Sequence, residues 1–179
     1  MISSALCRRR FSGLCRLCPL RVDSWVLSLL NRVEPHARLW QIELCSSSPA
    51  FFLWAGKYTV ATRQDATWAV KNGTFSVTTV PAKPGDVIIL WGTGFGPTTP
   101  AAPVGVQVPN DKLYAVNGVT VTIDNQPVQV FGTALSPGFA GLYQVAIQVP
   151  AALPDGDWPV IATVAGVPSP TGILLAVHK

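Results

Sequence analysis

Gly92-Thr93-Gly94-Phe95-Gly96 follows the apolar run Val87 to Trp91 and is the stretch of this chain that most resembles a phosphate cradle. A dinucleotide site needs a helix to begin at the glycines, so that its N-terminus meets the pyrophosphate. Here Pro97-Thr98-Thr99-Pro100 follows, and a helix has no good start there. The glycines therefore read as a strand corner that accepts positive φ, with Phe95 folded back into the core. Asp155-Gly156-Asp157, with Asp124 elsewhere, offers the hard oxygen ligands that calcium takes. Two carboxylates in one hairpin turn rarely suffice, and Asp and Gly are the usual residues of such a turn. A hydrolase needs a nucleophile and a base, or two opposed carboxylates. Residues 49–179 have neither cysteine nor glutamate, and their one histidine, His178, stands beside Lys179, where fraying is expected. Their six aspartates all sit in or beside apparent turns, and nothing there points to a carboxyl with a raised pKa. The expectation is a chain that is not an enzyme, with no catalytic, cofactor-binding or metal-ligating residue.

Aromatic side chains are the other candidates for contact with a ligand. Trp54, Tyr58, Trp68, Trp91, Tyr114, Tyr143 and Trp158 could line a sugar-binding platform, because flat apolar rings stack on pyranose faces. Small β domains mostly use such residues in the core. Trp91 and Tyr143 fall in phase with apolar strand positions and read as core. Trp54 and Trp68 lie in a less regular stretch and are the candidate ligand contacts.

The elements that position these residues are strands. Residues 49–179 hold 14 glycines and 14 prolines and only 12 charged residues, too punctuated for long helices and too apolar for disorder. Phe51 to Trp54, Tyr58 to Thr62 and Thr74 to Val80 read as short strands, the last alternating after the turn-forming pair Asn72-Gly73. Val87 to Trp91 is continuously apolar, as for a strand covered on both faces or central in a sandwich. Thr98 to Pro109 is a proline-rich loop. Val119 to Ile123 alternates, Asp124-Asn125-Gln126 turns the chain, and Val128 to Thr133 runs back. Leu142 to Val149 puts Tyr143, Val145, Ile147 and Val149 on one face. Trp158 to Val164 and Ile173 to Val177 complete the set. Strands joined only by turns pair antiparallel, since parallel pairing needs crossovers. The fold class is all-β, an immunoglobulin-like antiparallel β-sandwich with an irregular or disordered N-terminal leader. Residues 81–179 form the sandwich, residues 49–80 a lead-in strand and hairpin, and residues 1–48 a leader outside the fold.

Charge and cysteine separate the leader from the rest. Residues 1–48 carry seven arginines against three acids, a net of +4, whereas residues 49–179 carry six of each sign. The body therefore lacks the clustered cations that displace counterions from phosphates, and a nucleic-acid partner is rejected. All four cysteines precede residue 49. Cys15-Arg16-Leu17-Cys18 is a lone pair, half of a zinc or redox site. Three readings compete for the leader: a secretory signal, whose apolar run Arg16 and Arg21 interrupt; an arginine- and serine-rich transit peptide; or a misread coding start. The composition favours the third. The run Val22 to Leu30 is too short to span a bilayer, so no membrane span is expected.

From Pro49 onward the chain resembles the uncharacterised C-terminal domain family of large secreted proteins from Solibacter and its acidobacterial relatives. The matching pieces are Pro49-Ala50-Phe51-Phe52, Tyr58 to Thr62, Pro81 to Leu90 with Gly92 to Thr98, Val119 to Ile123, Gly138 to Val145, and Pro154 to Val160. The second half is similar, more loosely, to the immunoglobulin-like IPT/TIG domains. The resemblance implies a β-sandwich at the tail of an exported protein, extracellular or on the cell surface, and brings no catalytic residues. It suits a non-catalytic structural or interaction module acting as spacer, adhesion unit or sorting tail. The alternative is a carbohydrate-binding module of a polysaccharide-degrading system. Other domains, surface proteins or polysaccharide are the partners these readings imply.

Overall fold

Alternating apolar and polar residues make a strand one-sided, and the described residues form strands and no helix. The structure, a computed structural model, describes residues 46–179. The readings on residues 1–45, the Cys15–Cys18 pair and the run Val22 to Leu30 among them, lie outside the described residues. In chain order the strands are β1 (Ala50–Phe51), β2 (Leu53–Trp54), β3 (Tyr58–Thr59), β4 (Ala61–Arg63), β5 (Val87–Thr93) and β6 (Thr120–Ile123). There follow β7 (Gln126–Val128), β8 (Val130–Leu135), β9 (Tyr143–Gln148), β10 (Gly156–Val164), β11 (Val167–Pro168) and β12 (Leu174–Val177).

They form two sheets. One has the order β1-β5-β9-β8, with β4 also on β5; the other has β2-β3-β12-β10-β6-β7, with β11 on β10. Taking β1, β5, β6, β7, β8, β9, β10 and β12 as strands A, B, C, C′, D, E, F and G, the sheets read A-B-E-D and G-F-C-C′. That is the immunoglobulin arrangement. All strand pairs are antiparallel except β3 on β12, which meet at Tyr58 and Leu174. Trp158, near the start of β10, donates its indole N–H to the Pro154 carbonyl four residues upstream at 2.9 Å. This is the geometry that a tyrosine supplies at the corresponding corner of antibody domains.

The core lies between the sheets. Ile88 and Leu90 of β5 stand opposite Ile147 and Val145 of β9. They meet Val121, Ile123, Val160, Ala162 and Leu175 from the other layer in one buried cluster. A smaller cluster of Val108, Tyr114 and Leu135 anchors the loop that precedes β6.

Residues 50–63 cross between layers twice: β1 pairs in one sheet, β2 and β3 in the other, and β4 returns to the first. The stretch 49–80 thus supplies strands to both sheets. Ser48, placed above with the leader, donates its N–H to the Gly94 carbonyl at 2.8 Å, and Ser47 is buried. At this corner Gly94 and Gly96 have φ of +76° and +95°, and Phe95 is fully buried between Phe51 and Tyr143. No helix follows the glycines. A Cβ on Gly94 would overlap the Ser48 carbonyl oxygen.

Four sequence expectations are corrected. Of the two readings of Val87–Trp91 the central one holds, since β5 lies between β1 and β9; Ile88 and Leu90 point into the core, whereas Val87, Ile89 and Trp91 are half-buried on the outside. A two-layer fold gives each sheet one interior face, so Trp91 is not core; its indole N–H donates to Thr62 Oγ1 at 2.8 Å. Val128–Thr133 is not one return strand. The chain changes sheet at Gln129, β7 pairing with β6 and β8 with β9, and a bulge between Val130 and Gly132 leaves Phe131 exposed. Thr74–Val80 is a looped segment, not a strand. There Asn72 Oδ1 accepts from the Gly73 and Thr79 N–H groups, and Thr79 Oγ1 donates to the Lys71 carbonyl. Such local side-chain bonds offer the backbone an alternative to a ladder. Finally, His178 does not fray: its N–H donates to Ala82 at 2.8 Å, and the Lys179 N–H to Asp155 Oδ1 at 2.9 Å.

Candidate functional site

Trp54 ends β2 where Ala55 and Gly56, both at positive φ, turn the chain into β3. Trp68 follows a second tight turn. Asp65 Oδ1 there accepts from both the Thr67 N–H (3.0 Å) and the Thr67 hydroxyl (2.7 Å). Those two bonds hold the Asp65 carboxyl below its usual pKa. Trp68 then pairs back on Thr62, with the neighbouring Ala69 buried. The backbone alternation that buries Ala69 therefore sends the Trp68 ring outward, 47% exposed.

The structure brings the two predicted ligand contacts together. The rings of Trp54 and Trp68 are 5.6 Å apart, and Phe75 lies 5.6 Å from the first and 5.3 Å from the second. Such pairs contribute about 0.5–1.5 kcal/mol each beyond their buried area. Their interplanar angles are 50°, 81° and 57°, so the rings form a box and not a flat platform. Trp68 lines an open groove of about 550 Å³, and its ring packs on Trp54 and Phe75, which are not part of the lining. Val77 and Val80, 55% and 50% exposed, extend the apolar wall.

The polar wall is built on Arg63, the one arginine of residues 49–179. Its Nε donates to Asp86 Oδ2 at 3.2 Å, Nη1 to the Trp68 carbonyl at 3.1 Å, and Nη2 to the Pro81 carbonyl at 2.6 Å. One guanidinium thus ties β4, the 68–81 segment and the start of β5 together. Asp86 Oδ2 also accepts the Lys83 N–H at 3.0 Å. Thr67, Thr78 and Lys83 add polar groups to the lining.

A second charged cluster joins distant segments. Asp157 Oδ2 accepts from the Tyr58 hydroxyl at 2.8 Å and from Lys71 Nζ at 2.7 Å. Burial works to raise the Asp157 carboxyl, but the bonds from Lys71 and Tyr58 outweigh it and hold the group below its usual value. The bond to Asp157, with Tyr58 beside it, pushes the Lys71 ammonium up. Asp155, by contrast, faces His178, whose Nδ1 lies 3.3 Å from Asp155 Oδ2. The two aspartates of the turn therefore serve different partners and do not converge on one point. Among the described residues no group of three or more His, Cys, Asp or Glu could hold a metal ion. No helix among them is long and apolar enough to cross a membrane.

Trp54 and Trp68 were visible as candidates because they sit outside the regular strand rhythm. Phe75 was missed, since its segment read as a strand. Arg63 and Asp86 were missed as partners, although a lone arginine in a nearly neutral body is a usable signal. No family model, curated protein or solved structure matches the chain.

Proposed function

We propose that this sandwich is a non-catalytic interaction module of an exported or cell-surface bacterial protein, and that it makes contact through the groove beside Trp68. The observation that carries the reading is the exposed apolar wall of Trp68, Val77 and Val80, held in place by a packed aromatic box. Exposed apolar surface rimmed by polar groups is the usual mark of a contact site. The titratable groups suit a non-catalytic role: Arg63–Asp86 and Lys71–Asp157–Tyr58 bridge remote segments of chain and act as clamps. Export and surface location come from the resemblance of residues 49–179 to the acidobacterial C-terminal domains.

The test is retention of the full chain on isolated bacterial cell envelopes. Wild-type chain is expected to be retained, and a Trp68→Ala, Val77→Ser, Val80→Ser triple variant to be released. Equal retention of both would overturn the groove as the contact surface, and substrate turnover by the purified chain would overturn the non-catalytic reading.

A further inference from the structure

We infer that the groove beside Trp68 binds a single chain of pyranose sugar, with one ring stacked on the indole. This inference rests on the interaction reading and names its ligand class. An indole presents a flat apolar face that matches the C–H face of a pyranose, and Trp68 offers such a face to the groove. The ring is already braced by Trp54 and Phe75, so little side-chain freedom remains to be lost on binding.

The lining also holds groups suited to sugar hydroxyls. Asp86 gives Oδ2 to Arg63 and to the Lys83 N–H, while its Oδ1 makes no hydrogen bond among the described residues. That oxygen is a free acceptor on a residue that lines the same groove as Trp68. Thr67 and Thr78 also line the groove, the Thr67 hydroxyl already donating to Asp65. Arg63 is paired with Asp86, and Lys83 adds an ammonium to the lining that can donate to sugar hydroxyl and ring oxygens.

The ring angles decide which form of sugar fits. Flat insoluble polysaccharide needs several coplanar rings, and the 50–81° tilts leave a single usable face. One stacked ring and a short polar wall fit a soluble chain or a chain end. A groove of about 550 Å³ is within the usual range for small-ligand sites.

The experiment is affinity electrophoresis of the full chain through gels containing soluble β-glucan, mannan, xylan or galactan. At least one polymer is expected to retard the wild-type chain. Trp68→Ala weakens that binding by about two- to tenfold, the loss of one stacking contact. Trp68→Phe recovers part of it, and Phe139→Ala, an exposed aromatic outside the groove, changes nothing. Circular dichroism of each variant checks that the fold is kept. Retardation that survives Trp68→Ala, or none with any polymer, overturns the proposal. If the gels are silent while retention on envelopes still depends on Trp68, the sugar ligand falls and the interaction reading stands. If both fail, both fall.

Discussion

Replacing Gly94 by alanine tests the corner that closes the sandwich, and a second glycine separates the two costs involved. Gly94 has φ of +76° and its missing side chain faces the Ser48 carbonyl. An L-residue in that backbone region costs about 1–2 kcal/mol. The added methyl also forces residues 46–48 away and breaks the Ser48–Gly94 hydrogen bond, a further loss of about 1 kcal/mol. With some disturbance of buried Phe51, the total is about 3 kcal/mol. For a chain of this length that lowers Tm by roughly 6–12 °C. Gly85 has φ of +87° but open space where a Cβ would stand. Gly85→Ala therefore carries the backbone cost alone, roughly 2–8 °C. Thermal melts of the full-length variants, followed by circular dichroism, read the difference. A Gly94→Ala melt no lower than that of Gly85→Ala would refute the close packing of Ser48 on the corner.

Three further outcomes follow from the same contacts. Arg63→Ala should cost about 2 kcal/mol in urea unfolding, because several charge-assisted bonds are lost together. Arg63→Lys should restore only a fraction, since one ammonium cannot reproduce the fork. Leu90→Ala, at a fully buried site, should cost about 2–5 kcal/mol by the same assay. The Asp157 pKa is depressed in the folded chain, so its stabilisation is present above the unfolded value near 3.9 and lost as pH falls through the folded one. Urea midpoints at pH 6 and near pH 3 should therefore differ more in wild type than in Asp157→Asn; an equal drop in both would show that the Lys71–Asp157–Tyr58 cluster contributes nothing to the fold.

The long strands were legible because a half-buried strand writes its burial into every second residue. β6, β9, β10 and β12 lie within a residue or two of the expected runs. What failed was contact that depends on the second layer. Gln129 separates two strands with no local turn signal, because only the partner sheets decide where the chain crosses. The 71–80 loop alternates like a strand, yet Asn72 and Thr79 satisfy its backbone locally. The ligand-contact candidates followed from irregular context, but Phe75 and the Arg63–Asp86 wall required knowing how that loop folds back.

The groove beside Trp68 as the working surface is tested most directly by the indole N–H resonances of the full chain during titration with a soluble neutral oligosaccharide. The Trp68 signal should move and saturate, with a smaller shift at Trp54 behind it, while Trp158, bonded to Pro154, stays in place. Saturable binding that leaves the Trp68 resonance unmoved would contradict it.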